Sequence, residues 1–306
     1  MSDSARSPLT LVEYAAVAVI VVIWGVNNAA AKIATEVIPP MAVGALRFLI
    51  GGVCLLPFVR PPFPNWKALL VLALCGGPIH FGLIYLAFGI AEDLSPLAVS
   101  LQLWIPLAAL FSWLILGERL TRATLAGLVI AFAGVAWMTL DPHALQDWDA
   151  ILLGIVASAA WAVVTVVARR TTAIPPLKMQ GVICLVAAPS LAAASLGFEH
   201  DPLGAIGTAD ALVWACVLWA ALVSTLGATC LLFWLVQRRE AGRVTPYMLT
   251  TPLVSVLIGV AFLGDVLTPQ IVEGAAACIG GVGLVALAER RFKARALKAA
   301  AAVSPD

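Results

Sequence analysis

The chain has 306 residues, of which 62% are apolar and 11% charged; the net charge is +1 and the mean hydropathy +1.02. That charged share is about half of what a soluble domain carries, and a soluble fold of this size could not hide so much apolar surface. Disorder, collagen, coiled coil and a secreted disulfide scaffold are excluded by the same figures, and a near-neutral chain offers no basic field to nucleic acid. What remains is an all-α polytopic membrane protein.

A helix needs about 20 apolar residues to cross the hydrocarbon. That length, read against charged and Pro/Gly breaks, predicts ten transmembrane helices: 11–34, 40–59, 66–90, 96–116 and 121–140, then 150–168, 176–196, 209–236, 244–263 and 269–288. A tail of residues 1–10 precedes them and a basic tail of residues 289–306 follows. The apolar part of the first span is longer than a signal-peptide core, so Ala29-Ala30-Ala31 is read as helix interior and not as a cleavage site. Runs such as 15–23 lack the alternation of a barrel strand. The six cysteines lie in apolar runs without a C-x-x-C pair and read as small buried hydrophobes.

Basic residues orient the spans. With the N-terminus in the cytoplasm, sixteen of the eighteen Lys and Arg fall on inner loops and tails, leaving Lys32 near an outer end and Arg47 inside the second span. The opposite loops carry Glu92, Asp93, Asp141, His143, Asp147, Asp149, Glu199, Asp201 and Asp265 and no Lys or Arg. This asymmetry places both termini in the cytoplasm.

The two halves of the chain repeat each other. IWGVNNAAAKIATEVIPPM matches AWAVVTVVARRTTAIPPLK, setting Trp24 over Trp161 and Pro39-Pro40 over Pro175-Pro176. WIPLAALFSWLILGERLT matches TTPLVSVLIGVAFLGDVLT, setting Pro106 over Pro252 and Glu118 over Asp265. Five spans per unit is an odd number, so the second unit (149–288) sits upside down relative to the first (11–140). Two inverted five-helix repeats around a central cavity are the architecture of secondary transporters. The WG-x-N…K opening, the PP…RF continuation from Pro39 to Phe48 and the paired P…LGE-x-LT and P…LGD-x-LT segments resemble the EamA-type family of the drug/metabolite transporter superfamily. Within it the chain looks most like the YddG-type amino-acid exporters of bacterial inner membranes. The resemblance implies ten helices, alternating access and export of aromatic and other neutral amino acids.

Function is expected where polar groups enter the spans. Trp24, Asn27 and Asn28 share one helix face in span one. They are candidates for an aromatic wall with amide hydrogen bonds, or for ties between helices. Trp161, with Ser158 and Thr165 on its face, holds the matching position in the second unit. Gly76-Gly77-Pro78 breaks the ladder of span three at a depth where freed carbonyls must face protein or a watery cavity, and His80 and Tyr85 follow. Trp104 precedes Pro106 in span four, and Tyr247 precedes Pro252 in span nine. The expected substrate-binding set is therefore Trp24, Asn27, Asn28, His80, Tyr85, Trp104, Trp161 and Tyr247, with Gly77, Pro78, Pro106 and Pro252 as bends. Ser224 and Thr225 read as packing. Arg47 reads as structurally paired, with a substrate carboxylate as the sharper alternative. The glycines of spans five and ten (Gly127 and Gly134; Gly274, Gly280, Gly281 and Gly283) read as close helix contacts, with a dimer face as the second choice.

No Asp or Glu falls at the centre of a span. Organic-cation antiporters use such a carboxylate, and where small multidrug relatives carry a glutamate this chain has Trp24. The expected substrate is thus a small zwitterionic metabolite, a neutral or aromatic amino acid foremost, moved without coupling through an intramembrane acid. Neither metal nor cofactor is expected, since His143 and His200 lie on outer loops without a ligand cluster. The expected partners are the substrate and the lipid bilayer, with a monomer favoured over a dimer. Within transport, the alternative is export of another metabolite or drug class, such as nucleobases or sugars; the rival from another class is an integral membrane transferase, for which Asp147 and Asp149 would be the acidic pair.

Overall fold

Hydrocarbon offers no partner to a backbone N–H or C=O, so a lipid-embedded chain must bond to itself. The computed structural model describes residues 9–90, 100–118, 120–139, 148–258, 261 and 268–303, and among them every regular element is helical. Six helical segments are long and apolar enough to cross a bilayer: Leu11–Val37, Pro40–Phe58, Trp66–Ala87, Trp148–Arg170, Pro176–Phe198 and Ala211–Arg238. Shorter apolar helices cover Ser100–Leu116, Arg122–Trp137 and Val272–Val285. Parts of the fourth and ninth predicted spans, and the loops carrying Glu92, Asp93, Asp141, His143, Asp147 and Asp265, lie outside the described residues.

Helix α1 (Leu11–Val37) opens with a capping box in which the Thr10 hydroxyl accepts from the Glu13 N–H and the Glu13 carboxylate accepts from the Thr10 N–H. Helix α2 (Pro40–Leu55) begins on proline, whose missing N–H costs nothing in a first turn. Its free amides at Met41 and Ala42 donate instead to Glu199 at 2.6 and 3.0 Å. The third span is divided: α3 (Trp66–Leu74), a π-helical turn at Cys75–Ile79 and α4 (His80–Ile90). Pro78 cannot donate to the helical ladder, and the wider turn absorbs it. Helix α5 (Trp104–Leu116) follows a break at Leu103, which puts Pro106 in its first turn. Helix α6 (Arg122–Thr139) ends the first half.

In the second half, α7 (Trp148–Arg170) and α8 (Pro176–Phe198) precede the short α9 (Pro202–Thr208). Then come α10 (Ala211–Leu218), a long π-helical segment at Trp219–Ala228 and α11 (Thr229–Arg238). A short α12 (Ala241–Val244) leads through a 3-10 segment, Thr245–Thr250, into α13 (Thr251–Ile258), so that Pro252 also sits in a first turn. Helix α14 runs from Pro269 to Val303, so the expected separate tail prolongs the last helix.

The packing pairs are reciprocal. Helix α2 lies on α8, and α6 on α14; α5 packs on α7 as α13 packs on α1; the third span reaches α7 and α8 as the Trp219–Ala228 segment reaches α1 and α2. Glycine permits the tightest of these approaches. A Cβ on Gly127 would stand 2.6 Å from the Gly281 carbonyl oxygen, and one on Gly134 the same distance from that of Gly274. Gly280 and Gly283 have open space instead. One continuous apolar cluster runs through the middle and includes Tyr85, Trp104, Trp161, Phe233 and Tyr247.

Candidate functional site

The π turn at Cys75–Ile79 swings the start of α4 toward α7, and His80 is the residue it delivers. His80 Nδ1 lies 2.7 Å from the Ala157 carbonyl oxygen. A carbonyl can only accept, so Nδ1 is the donor and Nε2 is the ring atom left to exchange a further bond. The imidazole stacks on Trp161, with centroids 4.7 Å apart and planes at 25°. Trp161 also meets Phe233 at 6.3 Å and Phe81 at 6.0 Å. Four rings from α4, α7 and α11 thus surround one point midway along the bundle.

Arg47 stands beside them, buried at 7% exposure. Its Nε donates to Thr225 Oγ1 at 2.6 Å and Nη2 to Ser224 Oγ at 3.2 Å. The guanidinium lies 5.0 Å from the Phe81 centroid and 5.6 Å from that of Phe48, a cation–π arrangement. The Tyr85 hydroxyl is within its hydrogen-bonding reach. Gly44 is small because the Tyr85 ring occupies the place where a Cβ would go. Among the described residues Arg47 is thus paired with hydroxyls from the second π segment and not with a carboxylate. Ser224 and Thr225 do more than pack.

A second pair sits on the other flank. Trp24 and Trp104 meet edge to face at 6.2 Å. Asn28 donates to Ser255 Oγ at 3.0 Å, which ties α1 to α13, and Gly25 allows the contact because Val254 presses against it. Asn27 is buried with its Oδ1 unpaired. The Tyr247 hydroxyl lies 3.4 Å from that of Tyr14, near the start of α1. By their contacts, seven of the eight expected residues group as His80, Tyr85 and Trp161 around Phe81, Trp24 with Trp104, Asn28 with Ser255, and Tyr247 with Tyr14. Phe81 and Phe233 complete the first group without having been singled out. Phe81 was detectable through its i, i+4 spacing to Tyr85 on one helix face; nothing local marks Phe233.

Around Tyr247 the helix ends are locked by charge. Arg239 Nε donates to Glu13 at 2.6 Å, and Arg169 Nε to Glu118 at 3.0 Å. The second Glu118 oxygen accepts from the Ala241 N–H at 3.1 Å, and Arg169 Nη1 donates to the Gln237 carbonyl oxygen at 3.0 Å. All but the Arg169–Gln237 bond join a residue of the first half to one of the second. His200 lines a separate polar groove at the far end, with Thr35, Glu36 and Asp201. Among the described residues no His, Cys, Asp and Glu cluster could hold a metal ion.

Several known proteins are similar to this chain. The uncharacterized transporter YvbV of Bacillus subtilis is 28% identical over 93% of both chains. The probable amino-acid metabolite efflux pump of Salmonella typhimurium is 27% identical over 86% of this chain and 91% of its own length. The uncharacterized inner membrane transporter YedA of Escherichia coli is 26% identical over 90% of each. A solved crystal structure superposes with a TM-score of 0.74 over 92% of this chain and 98% of its own, at 21% identity, and so shares the fold. Residues 11–140 and 148–287 each match the EamA-like transporter family, and with both halves covered the chain belongs to that family.

Proposed function

We propose that this membrane transporter exports small zwitterionic metabolites, neutral and aromatic amino acids foremost, across the bacterial inner membrane. The observation that carries the reading is the stack of His80 on Trp161 beside Phe81, Phe233 and Arg47, which offers apolar walls and a few directed polar groups in one enclosed place. Pockets for small organic solutes have that composition. The similarity to a probable amino-acid metabolite efflux pump points to the same substrate class.

The transporter works as two inverted five-helix units, residues 11–140 and 149–288, with both termini in the cytoplasm and the monomer as the working unit. The reciprocal packing of the helices and the π segments in the third and eighth spans support that arrangement. Substrate sits between the units near mid-depth, against Trp24, Trp104 and Trp161, with Asn27, Asn28, His80 and Tyr85 supplying hydrogen bonds. The ion pairs of Glu13 with Arg239 and Glu118 with Arg169 hold the cytoplasmic side shut in this conformation. Rocking one unit against the other breaks them and opens that side. Gly77, Pro78, Pro106 and Pro252, each at a departure from regular α-helix, are the bends about which the units move.

Counterflow of a labelled amino-acid panel in proteoliposomes, without an imposed ion gradient, tests this. Saturable movement of neutral amino acids, competed by aromatic ones, is the expected result. Movement only under a proton gradient removes the uncoupled mechanism, and no movement of any amino acid removes the substrate class.

A further inference from the structure

A guanidinium taken out of water is costly unless its charge is matched. Arg47 is buried in the middle of the helices, yet the ion pairs among the described residues all lie elsewhere, on Arg169, Arg239 and Arg243. Its partners are neutral hydroxyls: Thr225, Ser224 and, within reach, Tyr85. A guanidinium has five N–H groups, so this set still leaves two to place. The two hydroxyls of the π segment fix the orientation of the fork, because the Thr225 hydroxyl itself donates to the Ala220 carbonyl at 2.8 Å. Phe48 and Phe81 flank the cation, and the His80–Trp161 stack closes the far side of Phe81.

An oriented, buried cation with spare N–H groups and no anion of its own among the described residues calls for an anion from the substrate. Arginine meets carboxylate with two parallel bonds. We propose that Arg47 binds the carboxylate of the transported solute, with Ser224 and Thr225 as positioning residues and the rings of Phe48, Phe81 and Trp161 receiving its side chain. The transporter then selects small aromatic or aliphatic carboxylates, amino acids among them, and rejects the matching amides and amines. This rests on the transport reading above and narrows it to the group that the site requires.

Three matched probes separate the two readings: phenylalanine, phenylalaninamide and 3-phenylpropionate. Each is added to the purified wild-type protein and its effect on the apparent Tm is titrated. The expected result is stabilisation by phenylalanine and 3-phenylpropionate and none by the amide. Arg47→Gln should need at least about tenfold more of either acid for the same shift, the usual scale for losing a hydrogen-bonded charge, with Arg47→Lys intermediate. Equal stabilisation by amide and acid, or no response to either acid, overturns the proposal, and so does a folded R47Q that keeps the wild-type response. The wild-type comparison decides the matter even if R47Q does not fold. If 3-phenylpropionate binds through Arg47 while no amino acid is transported, the carboxylate site stands and the amino-acid reading falls. If amino acids are transported but the amide competes equally, the reverse holds.

Discussion

At the scale of single residues, His80 shows how a backbone irregularity becomes chemistry. Pro78 forces the π turn, the turn aims the imidazole, and the Ala157 carbonyl fixes which ring nitrogen faces outward. The stack on Trp161 is a favourable aromatic contact of about 0.5–1.5 kcal/mol. Trp161→Leu should therefore weaken substrate half-saturation several-fold, whereas Trp161→Phe, which keeps a ring on His80, should lose much less; concentration-dependent uptake measures both. If Trp104→Ala and Trp161→Ala both transport at the wild-type rate, the aromatic walls lie elsewhere. Gly44 is the stricter case. Gly44→Ala puts a methyl group into the Tyr85 ring, an overpacking of about 1–3 kcal/mol, and should lower both the Tm and the transport rate, with Tyr85→Ala in the same chain relieving the loss of stability.

At the scale of elements, α6 and α14 depend on backbone approach more than on side-chain fit. With the Gly281 carbonyl 2.6 Å from a Cβ at Gly127, Gly127→Val must push the helices apart, and a lowered yield of folded protein by size-exclusion chromatography is the expected outcome. The Glu118–Arg169 ion pair makes a prediction in pH. Burial raises the Glu118 carboxyl above its ordinary value of 4.5, Arg169 and the Ala241 N–H pull it back, and Glu240 adds to the rise. The net shift is upward, so the folded chain takes up this proton at a pH where the unfolded chain does not. The contribution of Glu118 to stability is then poorest above the raised value and improves as pH falls through it toward 4.5. Glu118→Gln cannot titrate, so the Tm difference between the two proteins should move in favour of wild type over that interval. Thermal unfolding at stepped pH checks this, and a difference flat in pH would contradict it.

At the scale of the whole molecule, reciprocal packing makes each half the other's partner. Helix α2 lies against α8 and α1 against α13, so neither half can bury its inner face alone. Residues 1–144 and 145–306 expressed separately should therefore be degraded, and their co-expression should restore a folded complex that co-purifies. Orientation has its own measurement: single cysteines at Lys67 and Arg238 in a cysteine-free chain should resist an impermeant thiol reagent in intact cells, and one at Asp201 should react. Reaction at Lys67 would reverse the assignment of sides.

The helical class, the membrane setting, the family and the duplication were all legible in the chain, because the cost of burying polar groups in lipid is a local property that composition and loop charge record directly. So were Trp24, His80 and Trp161 as polar or aromatic groups in apolar surroundings, and Gly127 and Gly281 as sites of close contact. The company these residues keep was not legible. Arg47 and Thr225 are 178 residues apart, Glu13 and Arg239 226 apart, and no periodicity within a helix encodes which distant helix will face it. Nothing near Tyr247 in sequence announces that its hydroxyl meets that of Tyr14, 233 residues away. Sequence alone determined which groups had to leave water; only the packing of the two halves decided which of them found a neutral partner, which an opposite charge, and which, at Arg47, still had hydrogen bonds to give.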